Sequence, residues 1–525
     1  LQLTDKQLMQ DKIEVPAYRM LYLDETLQEN AMMEVIRDVS FASRIEKLQN
    51  PDFEKEYVPD SLKGILREYQ KAGAAWIGML YSNRFGGILA DDMGLGKTLQ
   101  VISFLLTEHT GCSLIVCPAS LVYNWKHELE RFAPSLKADM VTGNVQQRKE
   151  VLDRWKEVDV LITSYDLLRR DITDYQELHF FCEVIDEAQY IKNHGTQAAR
   201  AVKQVQTGFR LALTGTPIEN RLSELWSIFD YLMPGYLYSY QRFRIELEQP
   251  IVQHKDEDAA KRLQRLIRPF VLRRLKKEVL QDLPDKLEEN LYADMDGEQQ
   301  ELYDAHVRRM KLMLEEKSDE EIRTDKIEIL AELTRLRQLC CDPALLYDNY
   351  KGGSAKTELV RGLIRNAVEN GHKVLLFSQF TTMLERLYRI LEEEKIASHM
   401  LTGATPKEKR IEMVESFAHD DVPVFCISLK AGGTGLNLTG ADIVIHYDPW
   451  WNVAVENQAT DRAHRIGQKN VVTVYKLIAK GTIEEKIIKL QQMKKELAEE
   501  ILSGDEIKTA SFQREELLEL LEERF

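Results

Sequence analysis

The sequence predicts an α/β protein with two parallel-sheet lobes, a helical insertion between them and helical ends. Two separate regions repeat one rhythm, a short β-branched apolar run, a polar turn and a longer helical pattern, as parallel strands joined by crossover helices require. Between these regions lies a long stretch with helical spacing and almost no strand signal. The 525 residues suffice for roughly three domains at about 150 residues each, which excludes a single small binding module.

Residues 1–60 read as short amphipathic helices and loops, rich in acid. The first lobe is expected over 61–235, with strand-like runs at Gly87 to Ala90, Ser113 to Cys117, Val160 to Thr163, Cys182 to Ile185 and Arg210 to Leu213. From about Asn220 to Asp348 Leu, Arg and Glu recur at helical spacing, as in Glu301 to Glu316 and Ile327 to Cys340, so 236–350 is assigned to helical protrusions and a linker. Lys351-Gly352-Gly353-Ser354 punctuates the entry to a second lobe over 351–483. Its runs are Lys373 to Phe377, Val424 to Ser428, Asp442 to His446 and Val471 to Leu477. The last stretch, 484–525, reads as an acidic helical brace. Low-complexity tracts and fixed-period repeats are absent, which removes solenoids and disordered hubs.

The 86 acidic and 70 basic side chains give a net charge of -16, which on its face argues against a polyanionic partner. Position changes that reading. Residues 1–60 carry 13 acidic and 7 basic side chains and residues 484–525 carry 12 and 7, so the ends hold -11 and the 423 residues between them only -5. The middle is nearly balanced and can bear local basic patches. No run approaches the roughly 20 apolar residues of a membrane helix, and Asp5, Lys6, Asp11 and Lys12 occupy the place of a secretory apolar core. A soluble, cytoplasmic protein is expected, and Leu1 in place of a methionine predicts further sequence upstream. The six cysteines, at 112, 117, 182, 340, 341 and 426, form no CxxC pair and read as reduced, buried thiols.

Asp91-Asp92-Met93-Gly94-Leu95-Gly96-Lys97-Thr98 follows the run ending at Ala90 and opens the helical pattern Leu99 to Leu106. That is the strand, loop and helix of a phosphate cradle, with Asp92, Met93, Gly94, Leu95 and Gly96 forming its wall. Gly94 and Gly96 let backbone N–H groups approach phosphates, the helix N-terminus adds its positive pole, Lys97 can reach the β- and γ-phosphates and Thr98 can ligate magnesium. Asp91 replaces the first glycine of the general pattern. Val184-Ile185-Asp186-Glu187-Ala188-Gln189 then sets two adjacent carboxylates at a strand end, 88 residues beyond Thr98. Such a pair serves magnesium and water: Asp186 would hold the hydrated metal and Glu187 would orient or deprotonate the water attacking the γ-phosphate. In the second lobe, Gln458 to Gln468 spaces Arg462 and Arg465 three apart, a spacing that predicts one shared helical face. Arginine suits stabilisation of a transferring phosphoryl group because its fork is always protonated. Taken alone, each element has a bland reading: a structural glycine turn, a solvated acidic turn and surface salt-bridge arginines.

With these three elements in this order the sequence resembles the superfamily-2 helicase-like ATPases, and within them the Swi/Snf-type DNA translocases of bacterial type. The resemblance runs from about Leu66 to Gly481 and includes Tyr69-Gln70, Ile115 to Leu121 with Asn124-Trp125, Thr163-Ser164-Tyr165, Leu213 to Asn220, Phe377 to Phe380, Ala431 to Leu438 and Asp448 to Asn452. It implies two RecA-like lobes, ATP and Mg2+ as cofactors, Gln70 at the adenine, and Arg462 and Arg465 as arginine fingers. Arg268 to Lys286 is similar to the segment that leaves the protrusion of the first lobe in this family and braces the lobes. The family's acidic box usually ends in His, whereas here it ends in Gln189. An amide hydrogen-bonds without titrating, so Gln189 is expected to couple the nucleotide site to Thr214 and Thr216 through hydrogen bonds.

The resemblance also implies a partner, the backbone of double-stranded DNA, held with low sequence specificity. Ser120, Thr163, Ser164, Ser378, Gln379, Lys430, Gly433 and Asn437 match positions near that track, although each Ser or Thr serves equally well as a turn or cap residue. Trp450 and Trp451 are read as base-stacking or lobe-core residues, and Arg268, Arg273, Arg274, Lys276 and Lys277 as a solvated helix face, a brace or a DNA contact. The expected function is a nucleoid-associated, monomeric, ATP-dependent translocase that displaces or remodels DNA-bound protein without separating strands. The alternatives are a recycling ATPase associated with RNA polymerase and a nucleotide-binding scaffold with little turnover.

Overall fold

The structure is a computed structural model that describes residues 58–215, 222–280, 284, 286–316, 326–429, 438–451, 453–489 and 491, with isolated positions before residue 58. It divides into two compact units that meet in sequence at Val279 and Leu280. Among the described residues no helix is long and apolar enough to cross a membrane.

The first unit is built on α1 (Glu68–Ser82), β1 (Gly87–Leu89), α2 (Lys97–Thr107), β2 (Ser113–Cys117), α3 (Val122–Phe132), β3 (Ala138–Met140), β4 (Val160–Ser164), α4 (Tyr165–Arg170), β5 (Glu183–Ile185), β6 (Arg210–Leu213), α5 (Leu222–Leu232) and β7 (Val271–Leu272). Among the described residues the seven strands of its large sheet run in the order β3-β4-β2-β5-β6-β1-β7, every pairing is parallel, and His179–Phe180 pairs with Gln206–Thr207 in a separate small sheet. Helices cover both faces, so Ile88, Ile115, Ile162, Val184 and Leu211 are all at 0% exposure, which is why these strands read as continuous apolar runs.

The second unit comprises β8 (Lys286–Ala293), α6 (Gly297–Glu316), α7 (Lys326–Cys341), α8 (Ala355–Glu369), β9 (Val374–Ser378), α9 (Thr381–Glu393), β10 (Ser398–Leu401), α10 (Lys407–His419), β11 (Val424–Ser428), β12 (Ile443–His446), α11 (Val453–Thr460) and β13 (Val472–Ala479). Its strand order is β8-β13-β12-β9-β11-β10, again all parallel. α6 and α7 pack through Met310, Leu314, Leu333 and Leu336, and Ile483 and Ile487 join the same cluster.

Two strands correct the expected insertion. The stretch read as helical with almost no strand signal contains β7, which adds to the first sheet beside β1, and β8, which pairs with β13 over eight residues from Lys286 to Ala293. Residues 484–489 and 491, at the start of the expected acidic brace, are tied into the second unit. Glu484 is fully buried and lies 2.5 Å from Lys356, itself at 0% exposure, while Gln491 Nε2 donates to the carbonyl of Trp450.

Candidate functional site

β1 ends at Leu89, and the chain turns through Ala90 to Gly96 before α2 starts at Lys97. Gly94 (φ 85°) and Gly96 (φ 77°) take the left-handed conformation that lets the loop curl onto the helix N-terminus. Side-chain space is closed at Gly96 as well, where a Cβ would lie 2.5 Å from Gln70 Nε2. Lys97 Nζ donates to the carbonyls of Asp91 at 2.6 Å and Asp92 at 3.5 Å. Thr98 is half-buried in the first turn of α2. Gln70, expected at the adenine, uses both ends of its amide on the protein: Nε2 donates to the carbonyl of Leu95 at 3.0 Å and Oε1 accepts from the Arg67 amide at 2.9 Å. Tyr69 also donates its hydroxyl to Leu95 O, at 2.9 Å. Desolvation pushes that phenol up to about 12. Met93 faces Gly215, where a Cβ would meet Met93 Cγ at 3.1 Å.

Asp186 and Glu187 stand at the C-terminal end of β5, on the same edge of the sheet as the loop. The Asp186 carboxylate accepts from the Trp125 indole through Oδ2 (2.9 Å) and from the Glu187 amide through Oδ1 (2.9 Å). Its carbonyl accepts from the Tyr165 hydroxyl at 2.8 Å, and Tyr165 stacks on Tyr190 with ring centroids 5.1 Å apart. Burial raises the pKa of Asp186, opposed by the Trp125 hydrogen bond and by the charge of Lys97. Glu187 adopts φ 52° and ψ 57°, a left-handed conformation that costs a non-glycine residue roughly 1–3 kcal/mol. Its carboxylate accepts from Gln189 Nε2 at 2.7 Å, and Gln189 Oε1 accepts from the Thr214 hydroxyl at 3.1 Å. The structure therefore brings Glu187, Gln189 and Thr214 into one chain, while Thr216 lies outside the described residues.

These donors suit a nucleotide with its metal. The glycine loop and the α2 N-terminus present N–H groups and a positive pole to phosphates, and Thr98 with Asp186 supplies the hard oxygen ligands that magnesium takes. In the sequence Trp125 stands out only within the Asn124-Trp125 motif, and its hold on Asp186 has no local signature, because 61 residues separate the pair.

In the second unit the shared helical face expected for Arg462 and Arg465 is not formed. α11 stops at Thr460, whose hydroxyl is 2.8 Å from His446 Nε2. The chain then turns, with Gly467 at φ 105° and Gln468 Nε2 gathering the carbonyls of Thr439, Ala441 and Ala463. Arg462 is buried and Arg465 half-buried. Between them His464 contacts the carbonyl of Pro284 at 2.8 Å.

The residues expected along DNA separate into four groups. Ser120 is exposed. Thr163, Ser164 and Ser378 are buried: Thr163 donates to Val141 O, Ser164 caps α4 by accepting from the Leu167 amide, and Ser378 donates to Asp448. Lys430, Gly433 and Asn437 lie outside the described residues. Gln379 is half-buried and accepts from Arg337 Nη1 at 3.0 Å. The Arg337 guanidinium is also within 5.5 Å of the Trp450 ring centroid and 5.8 Å of that of Trp451, so both tryptophans pack against an α7 arginine. Arg274 is no solvated helix residue either: it follows β7 and its side chain is 13% exposed.

A model of the SNF2-related domain matches residues 69–345, more than half of the chain and the whole of the loop and acidic pair. The chain belongs to the SNF2 family of helicase-like ATPases. Residues 355–467 match the helicase conserved C-terminal domain, and residues 1–59 match the bacterial SNF2 helicase associated family. An ATP-dependent helicase of Mycoplasma genitalium, itself uncharacterized, is 41% identical over 466 residues, 87% of this chain and 44% of that protein. YwqA of Bacillus subtilis, named as an ATP-dependent helicase/translocase, is 41% identical over 464 residues, 85% of this chain and 50% of that protein. The chain thus spans about half the length of the curated relatives it matches. The SWI2/SNF2 ATPase core of Sulfolobus solfataricus, solved in complex with dsDNA, is 38% identical, with 84% of this chain and 94% of that chain covered and a TM-score of 0.43.

Proposed function

We propose that this chain is an ATP-hydrolysing translocase that moves on double-stranded DNA and displaces or remodels DNA-bound protein. One observation carries the reading: in a member of the SNF2 family, the Lys97–Thr98 loop and the Asp186–Glu187 pair lie at one edge of one parallel sheet, with the Glu187 carboxylate fixed by Gln189. The name helicase/translocase borne by the Bacillus subtilis relative supports the nucleic-acid half of the proposal.

In this mechanism Lys97 leaves the carbonyls of Asp91 and Asp92 for the β- and γ-phosphates, and the loop amides hold the remaining phosphate oxygens. Thr98 and Asp186 are the residues that would hold magnesium. Bound there, the ion would supply positive charge against the phosphate oxygens. Glu187 orients the attacking water and takes its proton, and the Gln189 amide keeps that carboxylate from swinging away. Gln189 passes the state of Glu187 to Thr214 without a proton of its own to exchange. Arg462 and Arg465 are the guanidinium groups that neutralise charge on the transferring phosphoryl group. Contacts to DNA go to the backbone, and a nucleoid location follows from that substrate.

Two substitutions test the site. Lys97→Ala should abolish nucleotide binding and turnover. Glu187→Gln should retain ATP binding and lose roughly 10²–10⁴ in rate, the usual contribution of a general base. A Glu187→Gln protein that hydrolyses ATP at the parental rate would remove Glu187 from the chemistry.

A further inference from the structure

Asp91 stands where the general phosphate-loop pattern has a glycine, and nothing in the nucleotide chemistry uses its carboxylate. That side chain has no exposed surface. It is gripped by one cation, Arg274, 183 residues downstream: Nε donates to Oδ1 at 2.8 Å and Nη2 to Oδ2 at 2.5 Å. Nη2 also donates to Gln100 Oε1 at 2.7 Å, and Gln100 Nε2 returns to Asp91 Oδ2 at 3.0 Å. Nη1 donates to the carbonyl of Tyr69, whose ring centroid is 5.3 Å from the guanidinium carbon. Gly73 makes room for this knot, because a Cβ there would lie 1.7 Å from Gln100 Oε1 and 2.7 Å from Arg274 Nη2.

The backbone repeats the connection. Ala90 N donates to Leu272 O at 2.7 Å and Asp92 N to Arg274 O at 3.0 Å. In return the Lys276 amide donates to Asp92 Oδ2 at 3.0 Å. Asp91 also offers its own carbonyl to Lys97 Nζ, the ammonium that must leave for phosphate.

We propose that Arg274 is a positioning residue that clamps the phosphate loop through Asp91, so that nucleotide occupancy is transmitted to residues 271–277. This stretch lies just before the chain passes to the second unit at Val279 and Leu280. The proposal rests on the nucleotide reading of the loop. It also accounts for Asp91: the loop gives up a glycine and gains a bidentate anchor, a geometry that arginine provides and lysine does not. A purely structural ion pair would affect melting alone. A positioning residue must also change nucleotide affinity in folded protein, and the segment it belongs to must respond to nucleotide.

The test uses the full chain with Arg274→Met, Arg274→Lys, Asp91→Asn and the double variant Asp91→Asn/Arg274→Met, each checked by thermal melting. Affinity is read with a fluorescent non-hydrolysable ATP analogue, kcat and KM from hydrolysis, and amide exchange across residues 271–279 with and without the analogue. Arg274→Met should weaken analogue binding at least tenfold, with KM rising by more than kcat falls. The double variant should bind no worse than Arg274→Met, since both substitutions open the same pair. If Arg274→Met does not fold, Arg274→Lys carries the test, with at least threefold weaker binding expected at an unchanged melting temperature. In the parent the analogue should slow exchange at Lys276. Folded Arg274 variants that bind within twofold of the parent, or exchange over 271–279 indifferent to nucleotide, would overturn the proposal. Lys97→Ala serves as the control: if it too binds like the parent, the nucleotide reading falls and the proposal with it, whereas its loss of binding beside unaffected Arg274 variants sinks the proposal alone.

Discussion

Replacing Trp125 by phenylalanine keeps an aromatic ring on α3 and deletes the N–H that holds Asp186. The Trp125 side chain is 1% exposed, and its Nε1 lies 2.9 Å from Asp186 Oδ2. A hydrogen bond to a charged acceptor contributes about 1.5–3 kcal/mol net. Asp186 is half-buried, so water can replace part of the lost contact, which favours the lower end of that range. At about 1.4 kcal/mol per factor of ten, the expected effect is roughly a tenfold rise in the Mg2+ concentration giving half-maximal hydrolysis. The assay is ATP turnover at saturating nucleotide over a Mg2+ titration, with urea unfolding run in parallel to confirm a folded variant. The Lys97-dependent phosphate contacts should survive, so nucleotide affinity in the absence of metal should stay near the parental value. A folded Trp125→Phe protein with a Mg2+ requirement within twofold of the parent would refute the reasoning that this indole orients the carboxylate proposed to hold the metal.

Two further predictions concern stability. Lys356→Met strands Glu484 without its partner in a fully buried pair 2.5 Å apart and should cost the second unit about 3–5 kcal/mol by urea unfolding, while changing both residues to apolar ones should recover most of it; a loss below about 1 kcal/mol would contradict this. Glu183 is buried in β5, with no hydrogen bond to either carboxylate oxygen among the described residues, and desolvation, only partly relieved by Arg210, pushes it up to about 8 from 4.5. The folded state then keeps a proton that the unfolded chain releases, so this group's contribution to stability falls as pH rises from 4.5 to about 8. Glu183→Gln stays neutral and should gain on the parent across that window in melts of the first unit; a difference independent of pH would rule the account out.

What the sequence concealed has a common physical cause. β3, β7, β8 and β10 went unread, and these four are the edge strands of the two large sheets; the two-residue strands His179–Phe180 and Gln206–Thr207, too short to leave a pattern, also went unread. An edge strand lacks a neighbour on one side and is less covered, so it needs no continuous apolar run: Lys286 to Ala293 exposes Leu287, Glu288, Glu289, Asn290 and Tyr292. The central strands, buried on both faces, announced themselves within a residue or two of their ends, as Ser113–Cys117, Arg210–Leu213 and Val424–Ser428 did. At the site the same division holds. The glycine loop and the Asp-Glu pair are local patterns and were legible, as was Gln189 as a hydrogen-bonding link to Thr214. Arg274 and Trp125 act across 183 and 61 residues, a relation that only the sheet topology creates. The spacing of Arg462 and Arg465 misled because helical periodicity was extended past Thr460, where His446 and the Gln468 amide take over the local hydrogen bonding.

The most direct test of the proposed function is the nucleic-acid dependence of hydrolysis. Steady-state ATP turnover should be measured for the parent and for Lys97→Ala with no nucleic acid, duplex DNA, single-stranded DNA and RNA at low and physiological salt. The account predicts turnover that rises most with duplex DNA, that loses this stimulation as salt screens backbone contacts, and that vanishes in Lys97→Ala. Turnover indifferent to duplex DNA would contradict it.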